Sequence, residues 1–368
     1  MNRARLVVLH VFILAICMVS NASATTYKVR YLSAPAGLQN VSPGAINDNG
    51  QIAGGGKDAA GYTHGIVWQP DGSMIDYGHM PNANTMGVYG INIQGQVVGD
   101  QINWSSNSVD FAHGFVWTPG SGISDRWAVS SARSSSSVAI NDAGVAVGTS
   151  THPITGQVIP VKWSSGGTPT LLPTLGGIPG SAWDINEQGQ ILGWSANSQN
   201  KDHACIWQPD GSVTDLGVLP GYQWSRAENF NNKAQAVGNC GGSYPYTATF
   251  WDSDGSSYEI LQPGWQSLDF RDINDSGIVL GLAIGLDNRS HAFTYNRNTG
   301  FSELTAPGFV NINPFGINNH GVIVGYAWEQ SSQQYRGLVF EPVPEPSCAL
   351  AALTGLAGLG IYLRRRRT

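Results

Sequence analysis

One phrase, Ile-Asn-x-x-Gly-x-Val-x-Gly, is written seven times along this chain, starting at Ile46-Asn47, Ile91-Asn92, Ile140-Asn141, Ile185-Asn186, Phe230-Asn231, Ile273-Asn274 and Ile317-Asn318. Successive asparagines stand 45, 49, 45, 45, 43 and 44 residues apart. Repetition at a fixed period constrains architecture more firmly than local propensity does, because one unit cannot bury its apolar faces without its neighbours. Ala234, where the pattern has its turn glycine, is a departure.

A second phrase answers each first one and ends on an aromatic: His64 to Trp68, His113 to Trp117, Ile159 to Trp163, His203 to Trp207, Thr247 to Trp251, His291 to Tyr295 and Arg336 to Phe340. Most are followed by a tight turn, such as Pro70-Asp71-Gly72, Pro209-Asp210-Gly211 or Asp254-Gly255, and then by a strand such as Ser212 to Leu219. Each unit therefore offers four short segments rich in Val, Ile, Thr and aromatics, separated by Gly, Asn, Asp and Pro, which is the pattern of strands and hairpins. Helical periodicity is confined to the two ends of the chain. Four strands in every unit of this length predict an all-β, seven-bladed β-propeller.

Ring closure is an independent check, since an open array would leave sheet edges bare. The last unit stops after Phe340 without a fourth strand, and Tyr27 to Leu32 precedes the first Ile-Asn phrase as a fourth strand would. The N-terminal strand is expected to complete the seventh blade. The alternation of Ile-Asn-x-x-Gly-x-Val-x-Gly with His-Ala-Phe-x-Trp resembles the extracellular HAF-repeat family over nearly all of Thr25 to Pro342. Three units, at Ile159, Thr247 and Arg336, lack the histidine. The resemblance implies export and repeats and carries no catalytic residues.

The ends agree with export. Arg3 and Arg5 precede an apolar run from Leu6 to Val19 and then Ala22-Ser23-Ala24, the order of a signal peptide cut before Thr25. Pro344-Glu345-Pro346 precedes a short apolar stretch, Ser347 to Leu363, closed by Arg364, Arg365, Arg366 and Arg367. Such a segment is at the lower limit for crossing a bilayer, and its arginines hold the C-terminus inside. The string resembles the PEP-CTERM sorting signal of Gram-negative bacteria. That resemblance implies that an exosortase-type transpeptidase removes the tail, that the inner membrane holds the chain only transiently, and that the product reaches the cell surface or medium. A simple tail anchor is the alternative.

Removing both ends leaves 13 basic residues against 25 acidic ones, a net charge of −12. A body this acidic argues against nucleic acid or an anionic membrane surface as partner. Cys17 and Cys348 leave with the ends; Cys205 and Cys240 remain, as a possible disulfide or as two separate thiols. No spacing of CxxC, HExxH or calcium-loop type appears, so neither a metal nor a cofactor is expected.

The aromatic row ending the second phrases is expected to pack between blades, and the asparagines to start turns that end on a glycine of positive φ, with a ring of amides along a channel as the alternative. His64, His113, His203 and His291 read as hydrogen-bonded structural residues. Asp48, Asp142, Glu187 and Asp275, like Asp71, Asp210 and Asp254, read as solvated turn carboxylates, and no spacing selects two of them as a catalytic pair.

In a four-stranded meander, turns 1-2 and 3-4 share one face, while connections 2-3 and 4-1 share the other. The second set looks long and varied, the character of a binding face. It carries Trp104, Phe111, Tyr222, Trp224, Tyr244, Tyr246, Trp265, Phe309, Trp328 and Tyr335. Of these, Trp104, Tyr222, Trp224, Tyr244, Trp265 and Trp328 are the candidate ligand-binding residues. Aromatics among Asn, Gln and Ser suit sugar rings and their hydroxyls, and the leading expectation is a noncatalytic matrix or surface protein that binds polysaccharide. A protein-binding adhesin or scaffold, and a propeller hydrolase or lyase, are the rival readings.

Overall fold

The computed structural model describes residues 26–343, apart from 82, 106–107, 130–133 and 243–245, and over 104–111 it describes the backbone alone. The signal segment Met1 to Ala24 and the sorting residues Pro344, Glu345, Pro346 and Arg364 to Arg367 lie outside the described residues, as does Tyr244. By internal contacts the chain divides into a body, Val29–Glu341, and a unit made of the two ends, Met1–Lys28 with Pro342–Thr368.

All regular structure among the described residues is strand, grouped in seven four-stranded antiparallel sheets. Blade 1 is Gln39–Ile46, Ile52–Lys57, Thr63–Trp68 and Met74–Gly78, from the innermost strand outward. The innermost strands of blades 2 to 7 are Thr85–Ile91, Ser135–Ile140, Gly176–Ile185, Trp224–Phe230, Trp265–Ile273 and Phe309–Ile317. The expected strand Ser212 to Leu219 is shorter, Val213–Gly217. Its start is held in the turn by Ser212 N–H donating to Asp210 (2.9 Å), and its end is set by Gly217 at φ +72°.

Blade 7 closes as expected: its sheet runs Phe309–Ile317, Ile323–Glu329, Gln334–Pro342 and then Tyr27–Tyr31. Leu32 N–H donates to Gly337 O at 2.9 Å, and Arg30 pairs with Glu341 at 2.7 Å. The molecule is a seven-bladed β-propeller.

The core lies between blades. Trp68 packs with Ile52, Ile66, Val324 and Val339 between blades 1 and 7. Trp117, Trp163, Trp207 and Trp251 repeat the arrangement at the next four interfaces, each ring facing the preceding blade. Tyr295 packs against the core between blades 5 and 6, and Phe340 is fully buried. An aromatic ring buries some 150 to 250 Å², about 4 to 6 kcal/mol of transfer free energy as an upper bound. Three indoles also donate to a carbonyl: Trp68 to Ser33 (2.7 Å), Trp163 to Trp127 (2.9 Å) and Trp207 to Pro173 (2.6 Å).

The two thiols are free and do not meet. Cys205 shares a face of blade 4 with Trp207 and packs toward blade 3, whereas Cys240 packs with Ala204 and Ile206 on the opposite face of that blade. A sheet stands between them, so the candidate disulfide is corrected to two separately buried cysteines.

The 2-3 connections differ from expectation. Several are tight hairpins: the strands Ile191–Asn197 and Asp202–Trp207 are joined through Asn200 at φ +56°, with Lys201 N–H donating to the Asn197 side chain at 3.1 Å. In blade 2 the extra length goes into longer strands, Val97–Ser105 and Ser108–Thr118. Trp104, Trp224, Trp265 and Trp328 consequently lie on strands, and of the six candidates only Tyr222 is on a described loop.

Candidate functional site

The innermost strands line a central channel, and the repeat phrase builds its narrow end. Each of the seven asparagines accepts, on Oδ1, the N–H of the residue four positions on, closing its own turn at 2.9 to 3.1 Å. Six of them then donate Nδ2–H to the carbonyl of the next asparagine around the ring, ending with Asn318 to Asn47 O at 3.0 Å. A turn starter is thereby also a member of an amide ring.

The turn carboxylates join Asn232 and Asn319 in a second, open row of bonds around the channel and are not simply solvated. Asp142 accepts the Ile93 N–H (2.9 Å), Glu187 the Asp142 N–H (3.0 Å), Asp275 the Asn232 N–H (2.8 Å) and Asp48 the Asn319 N–H (2.8 Å), each across a blade boundary. The recess inside this ring and row holds only about 240 Å³. Among the described residues no group of three or more His, Cys, Asp or Glu side chains is placed to hold a metal ion.

Farther in, every innermost strand breaks register at the same place: between Pro43 and Ala45, Val88 and Gly90, Ser137 and Ala139, Ala182 and Asp184, Ala227 and Asn229, Phe270 and Asp272, and Pro314 and Gly316. The residue left unpaired is Gly44, Tyr89, Val138, Trp183, Glu228, Arg271 or Phe315, three positions before the ring asparagine. A bulge re-aims the extra residue's side chain, and here all seven line one cavity of about 800 Å³ (Gly44 with its backbone). Asn40, Lys57 and Thr63 also line it, at the strand ends carrying connections 4-1 and 2-3, so it opens toward that face. Its volume is that of a typical small-ligand site.

The cavity mixes flat apolar rings with polar groups. Trp183 and Tyr89 remain 44% and 45% exposed, so their rings are not consumed by packing. Tyr89 Oη donates to Asp100 (3.0 Å), which also accepts from Ser136 (3.1 Å), and burial raises the Asp100 carboxyl above its ordinary range. Burial, helped by the charge of Asp269, pushes Glu228 up to about 7 against the opposing pull of Arg271. Arg271 pairs with Asp269 at 2.8 Å and keeps a buried Nε–H with no partner among the described residues.

Below these, Asp184 and Asp272 act as rivets between blades. Asp184 accepts the N–H groups of Ile185 and Phe230, and Asp272 those of Ile273 and Ile317. Burial pushes Asp184 up to about 7 and Asp272 to about 6, although these bonds pull the other way.

Three of the four histidines are hydrogen-bonded within their blades, as expected. His64 Nδ1 meets Asp76 (3.0 Å), His203 Nδ1 meets Asp215 (2.8 Å) and His291 Nδ1 meets Glu303 (2.7 Å), each joining the third strand of a blade to its fourth.

The candidate aromatics separate. Tyr222 donates to Glu259 (3.0 Å) and packs on the core between blades 4 and 5. Trp265 packs against Phe293 (5.0 Å) and Phe301 (5.1 Å) in the core between blades 5 and 6. Trp224 lies against Gly241, with the Arg226 guanidinium 5.7 Å from its ring. Trp104 lies where only backbone is described. Trp328 stands edge-on to Tyr335 (5.0 Å) and lines a cavity open to solvent. The bulge residues escaped the sequence reading; their signal is the variable third position before an otherwise uniform asparagine.

No family model matches the chain, and no curated protein matches it. Similar solved structures include a catalytically inactive virginiamycin B lyase from Staphylococcus aureus with quinupristin, at 12% identity and TM-score 0.51, covering 86% of this chain and 100% of that one. Puromycin hydrolase is similar at 11% identity and TM-score 0.54, covering 86% and 56%. An acylaminoacyl peptidase from Pyrococcus horikoshii is similar at 12% and 0.51, covering 81% and 52%. This chain thus spans just over half the length of the last two. At these identities the likeness shows the propeller fold alone.

Proposed function

We propose that the chain is an exported, noncatalytic surface or extracellular-matrix protein that binds polysaccharide at the wide mouth of its channel. The supporting observation is the cavity of about 800 Å³ in which exposed rings of Trp183 and Tyr89 face Ser42, Ser136, Ser181 and Asn229. Such a lining covers the apolar faces of sugar rings and meets their hydroxyls with donors and acceptors. Export rests on the end segments, with signal peptidase and an exosortase-type enzyme as processing partners.

The test is co-sedimentation of the protein with the producing cell's extracellular polysaccharide, beside a folded Trp183→Ala, Tyr89→Ala variant. Binding by the first and loss in the second is expected; no binding by either turns the search toward a protein partner. Glu228, held at about 7, is the feature that favours a hydrolase or lyase instead. Polysaccharide shortened by the wild-type protein but not by Glu228→Gln would establish that reading. Processing is checked by intact mass, which should lack both Met1 to Ala24 and the tail after Pro344-Glu345-Pro346.

A further inference from the structure

We infer that blade 7 carries an extended subsite for a neutral polysaccharide chain, running from the channel mouth toward the rim; this rests on the polysaccharide reading above. A second cavity of about 450 Å³ lies there, and it shares Asn40 and Ser42 with the channel cavity, so the two adjoin. A succession of rings marks the path. Phe315, on the channel wall, lies 5.5 Å from Tyr326, Tyr326 lies 5.3 Å from Tyr335, and Tyr335 lies 5.0 Å from Trp328.

The order of these groups follows from the fold. Phe315 is the bulge residue of the innermost strand, Tyr326 and Trp328 alternate onto one face of the second strand, and Tyr335 is paired with Trp328 on the third. Asn313 Nδ2 donates to Tyr326 Oη at 3.1 Å and fixes that ring, while Tyr335 stays 53% exposed.

Charge selects the occupant. Every side chain lining this cavity is uncharged, and the flanking Glu329 and Arg336 pair with each other at 3.1 Å. An anionic polymer would find no cation among the residues lining this cavity, whereas a neutral chain can lay ring faces on Trp328 and Tyr335 and bond its hydroxyls to Asn40, Gln333 and Gln334. Asn40 and Gln333 take φ +54° and +52°, a left-handed backbone conformation.

The test uses the intact protein and the producing cell's extracellular polysaccharide, split by anion exchange into neutral and acidic fractions and cut into size classes. By calorimetry, wild-type affinity should rise with chain length for the neutral fraction and hold in high salt. Trp328→Ala with Tyr335→Ala, shown to be folded by an unchanged melting curve, should lose about tenfold or more for long chains and nothing for the shortest. Trp183→Ala should weaken both alike. A length dependence that survives the blade 7 changes, or binding confined to the acidic fraction, overturns the inference. Failure of the wild-type protein to bind any fraction overturns the polysaccharide reading itself.

Discussion

The carboxylate of Asp272 in blade 6 accepts the backbone N–H of Ile317 in blade 7 at 2.8 Å, and Asp184 in blade 4 does the same for Phe230 in blade 5 at 3.1 Å. Each rivet places a charge where water is scarce. Burial therefore wins over the hydrogen bonds, and the two carboxyls titrate at about 6 and about 7 instead of in the ordinary acid range.

A pH optimum follows from that balance. Asp184, Asp272 and Glu228 have folded pKa values raised above their unfolded ones, so the folded chain holds extra protons from about pH 4 upward and loses stability as pH rises through about 6 to 7. His291, raised by Glu303 and Asp287, contributes stability that is likewise lost as pH rises through its folded value. Asp58, Asp71, Asp210 and Asp254 are lowered and contribute stability that disappears in acid. Urea midpoints from pH 3 to 8.5 should peak near about pH 4, and Asp184→Asn with Asp272→Asn should flatten the fall above it.

The second glycine of the repeat phrase has a specific role. A Cβ on Gly193 would stand 2.0 Å from the Ser181 carbonyl oxygen, and one on Gly148 would stand 2.0 Å from that of Ser136. In every blade the bulged inner strand presses its backbone onto this position. Gly193→Ala should cost about 1 to 3 kcal/mol or more through overpacking. Gly72→Ala, at φ +86° with open space around it, should cost only about 1 kcal/mol. Equal losses in chemical denaturation would refute the difference.

Trp207 and Trp251 occupy equivalent positions with unequal polar satisfaction. Trp207 Nε1–H donates to Pro173 O at 2.6 Å, whereas the buried Trp251 Nε1 has no partner among the described residues. Replacement of either by Ala should cost about 3 to 5 kcal/mol. Trp207→Phe should cost about 0.5 to 1.5 kcal/mol more than Trp251→Phe, because only the first loses a hydrogen bond, that to Pro173 O. Denaturation of the four variants in urea measures all of these differences.

The blades were legible because strand length, turn chemistry and the anchoring aromatics each repeat, so seven weak signals become one strong one. Closure by Tyr27–Tyr31 could be read from what the last unit lacks. The channel site could not, because a bulge is a departure from the alternation on which strand reading depends. Glycines such as Gly193 were visible while their cause, the bulge opposite, was not. Trp265 shows the converse: its composition suggested an exposed binding ring, and its strand position half-buries it against the interblade core.

Closure itself gives the last prediction. The outer edge of Gln334–Pro342 is covered by Tyr27–Tyr31, held by Leu32 N–H to Gly337 O and by the Arg30–Glu341 pair. Deleting residues 25–33 would bare that edge and remove Leu32 from the core shared by blades 7 and 1. It would also remove the Ser33 carbonyl that accepts from Trp68 Nε1. An uncovered edge recruits other chains, and a ring without its clasp loses the cooperativity that joins its blades. The shortened protein should aggregate in size-exclusion chromatography and unfold over a broadened transition. Arg30→Ala alone removes a half-exposed ion pair and should change stability by no more than about 1 kcal/mol. A monomeric, sharply melting deletion variant would mean that the amide ring and carboxylate row around the channel suffice to hold the seven blades together.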